Sequence, residues 1–348
     1  MFSRSSYSSL QIKDSTALWL GIGFSFLFTA LIYVMSTFFL QRPNLLPDTG
    51  AEWYYWKLPP DQVTFITRLS VWGLYIAHQL FSWTTILYAQ KYVKKYSSNL
   101  HTINIVALGG NALFIFLHVL QTYFFYDGLA QDVSIFSSQF SVIFLLVFIL
   151  IMENPRRGMF FGKKIPVKKR ITKVIRKYHG YYFSWAIVYT FWFHPAEYTW
   201  GHLIGFLYMF LLILQGSLFF TRIHINKYWT IIQELTVLIH GTIVALIQAN
   251  GIWPMFFFGF FGMIIITQLW GLDLNKKLNA LVISIYIIGV GIVYSGIFIE
   301  NMGPSKIWQL IAIPMIEYGF AILFIGLMYL IFILLNIFKT ELKENTLP

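Results

Sequence analysis

Hydrophobic residues run along this chain in long, nearly uncharged blocks separated by short polar stretches. Ten blocks stand out, at about 15–41, 63–90, 102–126, 131–153, 178–197, 201–221, 229–249, 252–271, 278–299 and 308–338. Each approaches or exceeds the ~20 residues that an α-helix, rising 1.5 Å per residue, needs to cross a ~30 Å apolar layer. The pattern predicts an all-α fold, a polytopic membrane bundle of about ten transmembrane helices forming one transmembrane domain over 1–348. No polar stretch is long enough for a separate soluble domain. The first block exceeds the length of a signal-peptide core, and no small-x-small cleavage site follows near Gln41 or Arg42, so it is expected to stay as a helix.

Charge adds an orientation. Only 11% of the 348 residues are charged and 57% are hydrophobic, against roughly a quarter charged in a soluble domain. Alternate connections 1–14, 91–101, 154–177, 222–228, 272–277 and 339–348 hold 21 of the 25 lysines and arginines. The opposite connections hold only Arg42, Lys57 and Lys306, and Arg68 lies inside a block. The positive-inside rule then places both termini in the cytoplasm. Topology also accounts for the net charge of +11, so nucleic acid is not expected as a partner.

The connection 154–177 carries ten basic residues and no acid. Within it Val167, Ile171, Val174, Ile175 and Tyr178 recur at helical spacing, which predicts a short basic amphipathic helix on the cytoplasmic face. It suits anionic lipid head groups or a cytoplasmic protein, and it also serves simply as a topology determinant. On the other side Trp53, Tyr54, Tyr55 and Trp56 read as an interfacial aromatic belt or the cap of an outward-opening cavity. Matching motifs or paired Gly/Pro breaks, the marks of two inverted halves, are not found.

The candidate chemistry lies in ionisable residues inside the blocks, where the hydrocarbon penalises them unless they have a task or a partner. His78, His118, His194 and His240 fall roughly 16 to 24 Å above the cytoplasmic boundary at 1.5 Å per residue, close enough to share one layer. Such a layer can ligate haem b, with His78 and His118 as the first pair because their helices are consecutive and antiparallel. It can hold Zn, Cu or Fe, or relay protons, since imidazole titrates near neutral pH. Each histidine can instead be a structural hydrogen-bonding residue.

His194, Glu197 and His202 make a second set, two imidazoles and a carboxylate within nine residues, suited to a metal or to an ordinary polar turn. Glu234 precedes His240 by six residues, too far for direct contact, and reads as interfacial or as part of a proton path. Arg68 and Glu317, on the second and tenth blocks, would form an ion pair if those helices were adjacent. His101, His179 and His224 sit at the cytoplasmic boundary. The chain has no cysteine, which excludes disulfides, thiolate metal sites and thioether-attached haem. P-loop, nucleophile-elbow, HExxH and desaturase histidine-box patterns are missing.

Three functions therefore stay open. The leading expectation is a histidine-ligated haem- or metal-binding membrane oxidoreductase. The alternatives are a proton-coupled transporter or channel, and a non-catalytic membrane subunit or assembly factor.

Overall fold

The computed structural model describes residues 12–45, 57–247, 251–299 and 301–344, with side chains as far as Leu335. Trp53, Tyr54, Tyr55 and Trp56 lie outside the described residues. Among those described, the chain forms ten α-helices and no strand, only isolated bridges. They are α1 (Asp14–Phe38), α2 (Phe65–Tyr92), α3 (Thr102–Phe125), α4 (Ile135–Arg157), α5 (Lys169–Phe191), α6 (Trp200–Ser217), α7 (Lys227–Ile247), α8 (Trp253–Ile266), α9 (Lys276–Tyr294) and α10 (Gln309–Glu344).

Eight helical segments are long and apolar enough to cross a membrane, which is compatible with a multi-pass membrane protein. The two outside that set, α2 and α5, have visible reasons. Arg68, His78, Gln79, Ser82 and Thr85 dilute the apolar run of α2, and α5 opens on Lys169, Arg170, Lys173, Arg176 and Lys177.

The chain packs as two compact units, Met1–Val142 with Gly180–Trp253, and Ile143–His179 with Pro254–Pro348. In the first unit α6 is the inner helix, packed against α1, α3 and α7, while α2 packs on α3. Its sequence is apolar between His202 and Gln215, and most of that stretch is buried, as suits an inner helix. Gly21 lets α1 approach it closely, for a Cβ there would fall 2.4 Å from the side chain of Leu214. Leu211, Leu214 and Leu218 close against Ala17, Leu18, Leu100 and Trp229.

The connection from α3 to α4 is sewn to the end of α5. Leu129 N–H donates to Trp192 C=O (3.0 Å) and Ala130 N–H to Phe193 C=O (3.1 Å). Arg68 reaches over this seam, binding Asp127 at 2.6 Å, Asp132 at 2.5 Å and the Gly128 carbonyl at 3.0 Å. Burial pushes the Asp127 carboxyl above its ordinary value, against the lowering effect of Arg68.

In the second unit α8 packs through small residues. A Cβ on Gly259 would meet Ile313 of α10 at 2.9 Å, and one on Gly262 would meet the Tyr286 hydroxyl of α9 at 3.2 Å. The core joins Val147, Leu150 and Ile151 of α4 to Met263, Ile313 and Ala321. Ile171 and Ile175 enter the same core. The basic segment expected as a separate surface helix is thus the opening of α5 itself, and part of its apolar stripe faces protein. Lysine and arginine are good helix formers, and the apolar spacing runs on through Ile175, so nothing breaks the helix between segment and span.

Gly128 is the tightest point of the α3–α4 seam: a Cβ there would lie 2.5 Å from the Phe193 carbonyl oxygen, a backbone atom that cannot turn aside. Gly128→Ala should therefore destabilise the first unit by about 1–3 kcal/mol. Thermal unfolding of the purified variant in detergent checks this, and an unchanged midpoint would contradict the seam.

Candidate functional site

The site of interest forms where α2, α3, α6 and α7 meet the segment between α5 and α6, all within the first unit. Its framework is a polar stripe on α3. Asn104, Asn111 and His118 are spaced by seven residues, two helical turns, and so share one face along about 21 Å of helix. Asn104 and His118 are buried, and each member of the stripe has an internal partner. Asn104 Nδ2 donates to the carbonyls of Ser217 (2.8 Å) and Phe219 (2.9 Å) at the end of α6. Asn111 Nδ2 donates to Ser217 Oγ at 2.8 Å.

His78 comes next. Its Nε2 lies 2.8 Å from Asn111 Oδ1, and the indole Nε1–H of Trp192 donates to its Nδ1 at 3.1 Å. Tryptophan only donates, so Nδ1 carries the lone pair and the proton sits on Nε2. The ring stacks on Phe114, 4.3 Å between centroids. Both nitrogens of His78 are thus engaged within the protein.

His118 lies beyond Trp192, whose ring it meets at 4.5 Å, and is enclosed by Phe191 and Phe206. It hydrogen bonds to the backbone of His194, while its Nε2 has no hydrogen-bond partner among the described residues. His78 and His118, the expected ligand pair, are therefore neighbours with the Trp192 indole against both rings.

The chain leaves the helix after Phe191 and runs irregularly to Thr199. The sequence had allowed His194 and Glu197 to share a helical face. Instead Pro195 disfavours helix at the residue before it, and the segment is held by other elements. Thr122 Oγ1 accepts from Ala196 N–H at 2.7 Å, and Ser36 Oγ donates to Ala196 C=O at 3.0 Å. His194 sits ring to ring with His202, 5.0 Å apart and nearly perpendicular. His202 in turn meets Thr199 Oγ1 through Nδ1 at 2.7 Å.

Glu197 is fully buried and turned to different partners. Arg42 grips both its oxygens, at 2.9 and 2.5 Å, and the Tyr126 hydroxyl binds Oε1. This carboxylate is already neutralised, the arrangement a buried charge requires. Among the described residues no three histidine or carboxylate side chains form a group that could hold a metal ion.

His240 of α7 joins from the other side of α6. It hydrogen bonds to the backbone of Gly201 and is close enough to His194 and His202 to interact with both electrostatically. Gly205 makes room for it, since a Cβ there would lie 3.0 Å from His240 Nε2. The four histidines of the expected layer, with His202, are thus all in this part of the first unit.

The other candidates have surroundings of their own. Glu234 is half-buried on α7, six residues or about 9 Å along the helix from His240. Arg68 has its ion pairs with Asp127 and Asp132. Glu317 is buried in the second unit, where Arg157 is its electrostatic neighbour. Trp192, Asn111 and Ser217 were not singled out by sequence, though the seven-residue spacing of Asn104, Asn111 and His118 was there to be read. Compared with family models, with curated proteins and with solved structures, the chain matches none of them.

The bonds around His78 make a direct prediction. Histidine-selective 15N NMR should find this ring as the neutral Nε2–H tautomer, and Trp192→Phe should remove the bond to Nδ1 at a cost of about 1–2 kcal/mol. An Nδ1–H tautomer in the unsubstituted protein would contradict the arrangement.

Proposed function

We propose that this chain is a multi-pass membrane protein with both termini cytoplasmic, and that its first unit is a proton-coupled transporter or channel. In this reading His118, His194, His202 and His240 bind and pass the proton. The membrane part is supported by exposure as well as composition. Trp19, Leu20, Phe26 and Leu27 of α1 and Ile322 and Leu323 of α10 are each more than half exposed. Apolar surface of that extent on helices long enough to span is suited to lipid and not to water. Charge segregation supplies the orientation.

The observation that carries the proton reading is the gathering of four imidazoles from α3, α6, α7 and the segment before α6. Ionisable side chains in apolar spans mark ion or proton pathways, and an imidazole can accept a proton at one ring nitrogen and release one from the other. Backbone hydrogen bonds orient His118 and His240 through one ring nitrogen, which leaves the other for exchange. Asn111, Ser217 and Asn104 continue the polar stripe toward the opposite end of α3.

A second reading, a histidine-ligated haem b or Zn, Cu or Fe oxidoreductase, is favoured by one feature, the unpartnered Nε2 of His118 inside its aromatic enclosure. Oxidised and dithionite-reduced absorption spectra, with elemental analysis, separate the two. A colourless, metal-free protein is expected, and a Soret band or stoichiometric metal would install the second reading.

The transport reading is tested in proteoliposomes with an internal pH dye and a valinomycin-imposed potassium gradient. Proton flux should fall about a hundredfold in His118→Ala, the scale of losing one positioned proton-transfer group. Unchanged flux in that variant and in His202→Ala would leave a non-catalytic subunit or assembly factor as the better description.

Topology has its own check, because the chain lacks native cysteine. A membrane-impermeant maleimide should label Ser305→Cys on intact cells and Lys277→Cys only after permeabilisation. The reverse pattern would invert the orientation.

A further inference from the structure

The basic opening of α5 meets α10 in the second unit, and there the two helices build a pairing that the proton reading does not use. Lys168 Nζ lies over the Tyr329 ring at 4.7 Å, and Arg170 Cζ lies over the Phe332 ring at 4.3 Å. The Lys168 backbone N–H also donates to the Tyr329 hydroxyl at 3.2 Å, which fixes this end of α5 against α10. From inside, Ile171 and Ile175 anchor the same stretch in the core. Both cations remain exposed, and neither has a carboxylate partner among the described residues.

We propose that Lys168 and Arg170, seated on Tyr329 and Phe332, bind the phosphodiester of an anionic phospholipid in the cytoplasmic leaflet. This rests on the membrane reading above and is independent of the proton path.

Three observations point to a lipid phosphate. The first is depth: Tyr329 lies twenty residues after the start of α10 at Gln309, about 30 Å along the helix and so one hydrocarbon thickness away. Aromatic rings and long basic side chains both favour that interface. The second is chemistry. A guanidinium stacked by its face keeps its edge N–H donors for a phosphate oxygen, and an ammonium over a ring keeps donors on its outer side. The third is the surroundings. Leu323 and Leu327 of α10, within two turns before Tyr329, are exposed, a surface for acyl chains on the hydrocarbon side of the phosphate. Residues 154–177 carry ten cations and no carboxylate, so the local field favours an anion.

The test uses the full-length protein, delipidated in detergent and titrated with phosphatidylglycerol or phosphatidylcholine while bound lipid is counted by native mass spectrometry. The unsubstituted protein should retain phosphatidylglycerol preferentially. Lys168→Gln with Arg170→Gln should weaken that retention about thirtyfold, from two interfacial charges. Lys276→Gln with Lys277→Gln, an equal loss of charge elsewhere on the second unit, should leave it unchanged. Tyr329→Leu with Phe332→Leu should also weaken it, with helix content by circular dichroism reporting on folding.

Equal retention in both charge variants would overturn the proposal. So would displacement of the lipid by millimolar inorganic phosphate, which would make the site one for a soluble anion. A chain recovered outside the membrane fraction would sink the membrane reading as well, whereas a membrane-bound chain without the lipid preference sinks this inference alone.

Discussion

The constraint beneath this structure is the cost of leaving a polar group unpaired inside an apolar bundle, which favours arrangements where such groups pair within the protein. An unpaired amide or hydroxyl buried there costs about 1–3 kcal/mol. Asn104 meets the requirement by binding the carbonyls where α6 ends, and Asn111 by bridging Ser217 and His78. These bonds set the register of α3 against α6 and fix the His78 ring. The glycines do the complementary work: Gly21 and Gly205 bring α1 and the His240 ring close to α6. Packing and polar satisfaction thus specify one arrangement of the first unit.

Much of the helical order was legible in sequence, because continuous apolar runs of spanning length have few alternatives. All ten expected segments correspond to helices, with ends shifted by a few residues in most cases. The larger discrepancy is α5, which begins at Lys169 although the apolar block begins near residue 178. Charge density there reads as a loop, yet charge does not break a helix. The stripe of Ile171 and Ile175 shows that the helical period continues through the basic residues. At the other end the chain departs from helix before His194, and Pro195 supplies the local reason.

Counting along the apolar blocks drew attention to the histidines but not to their partners. Counting residues placed four histidines near one level, and depth follows directly from helical rise. Which groups face them depends on rotation and neighbour choice, and attention to ionisable residues passed over Asn111, Ser217 and Trp192. The same limit applied to Arg68. Its partners Asp127 and Asp132 belong to the connection following α3, the helix that packs on α2. A chain reversal brings that connection back to the start of α2, which is a cue in sequence order. Glu317, expected beside Arg68, has Arg157 as its electrostatic neighbour.

The stretch from Trp192 to Tyr198 has a mechanical consequence. It meets His78 and His118 through Trp192 and His202 through His194, and it is held to α1 and α3 through Ala196. Trp192 and Phe193 still donate back to Val188 and Thr190 of α5, and the rest is held by Ser36, Arg42, Thr122, Tyr126, Leu129 and Ala130. Displacing a helix would unpack whole turns of side chains. Displacing this strap would break those separate bonds and also unseat the fully buried Trp192 and Phe193 side chains. Flanked by α5 and α6, it carries the partner of Arg42 and the partner of His78 on one short length of backbone, so the buried ion pair and the orientation of that ring are fixed by the same segment.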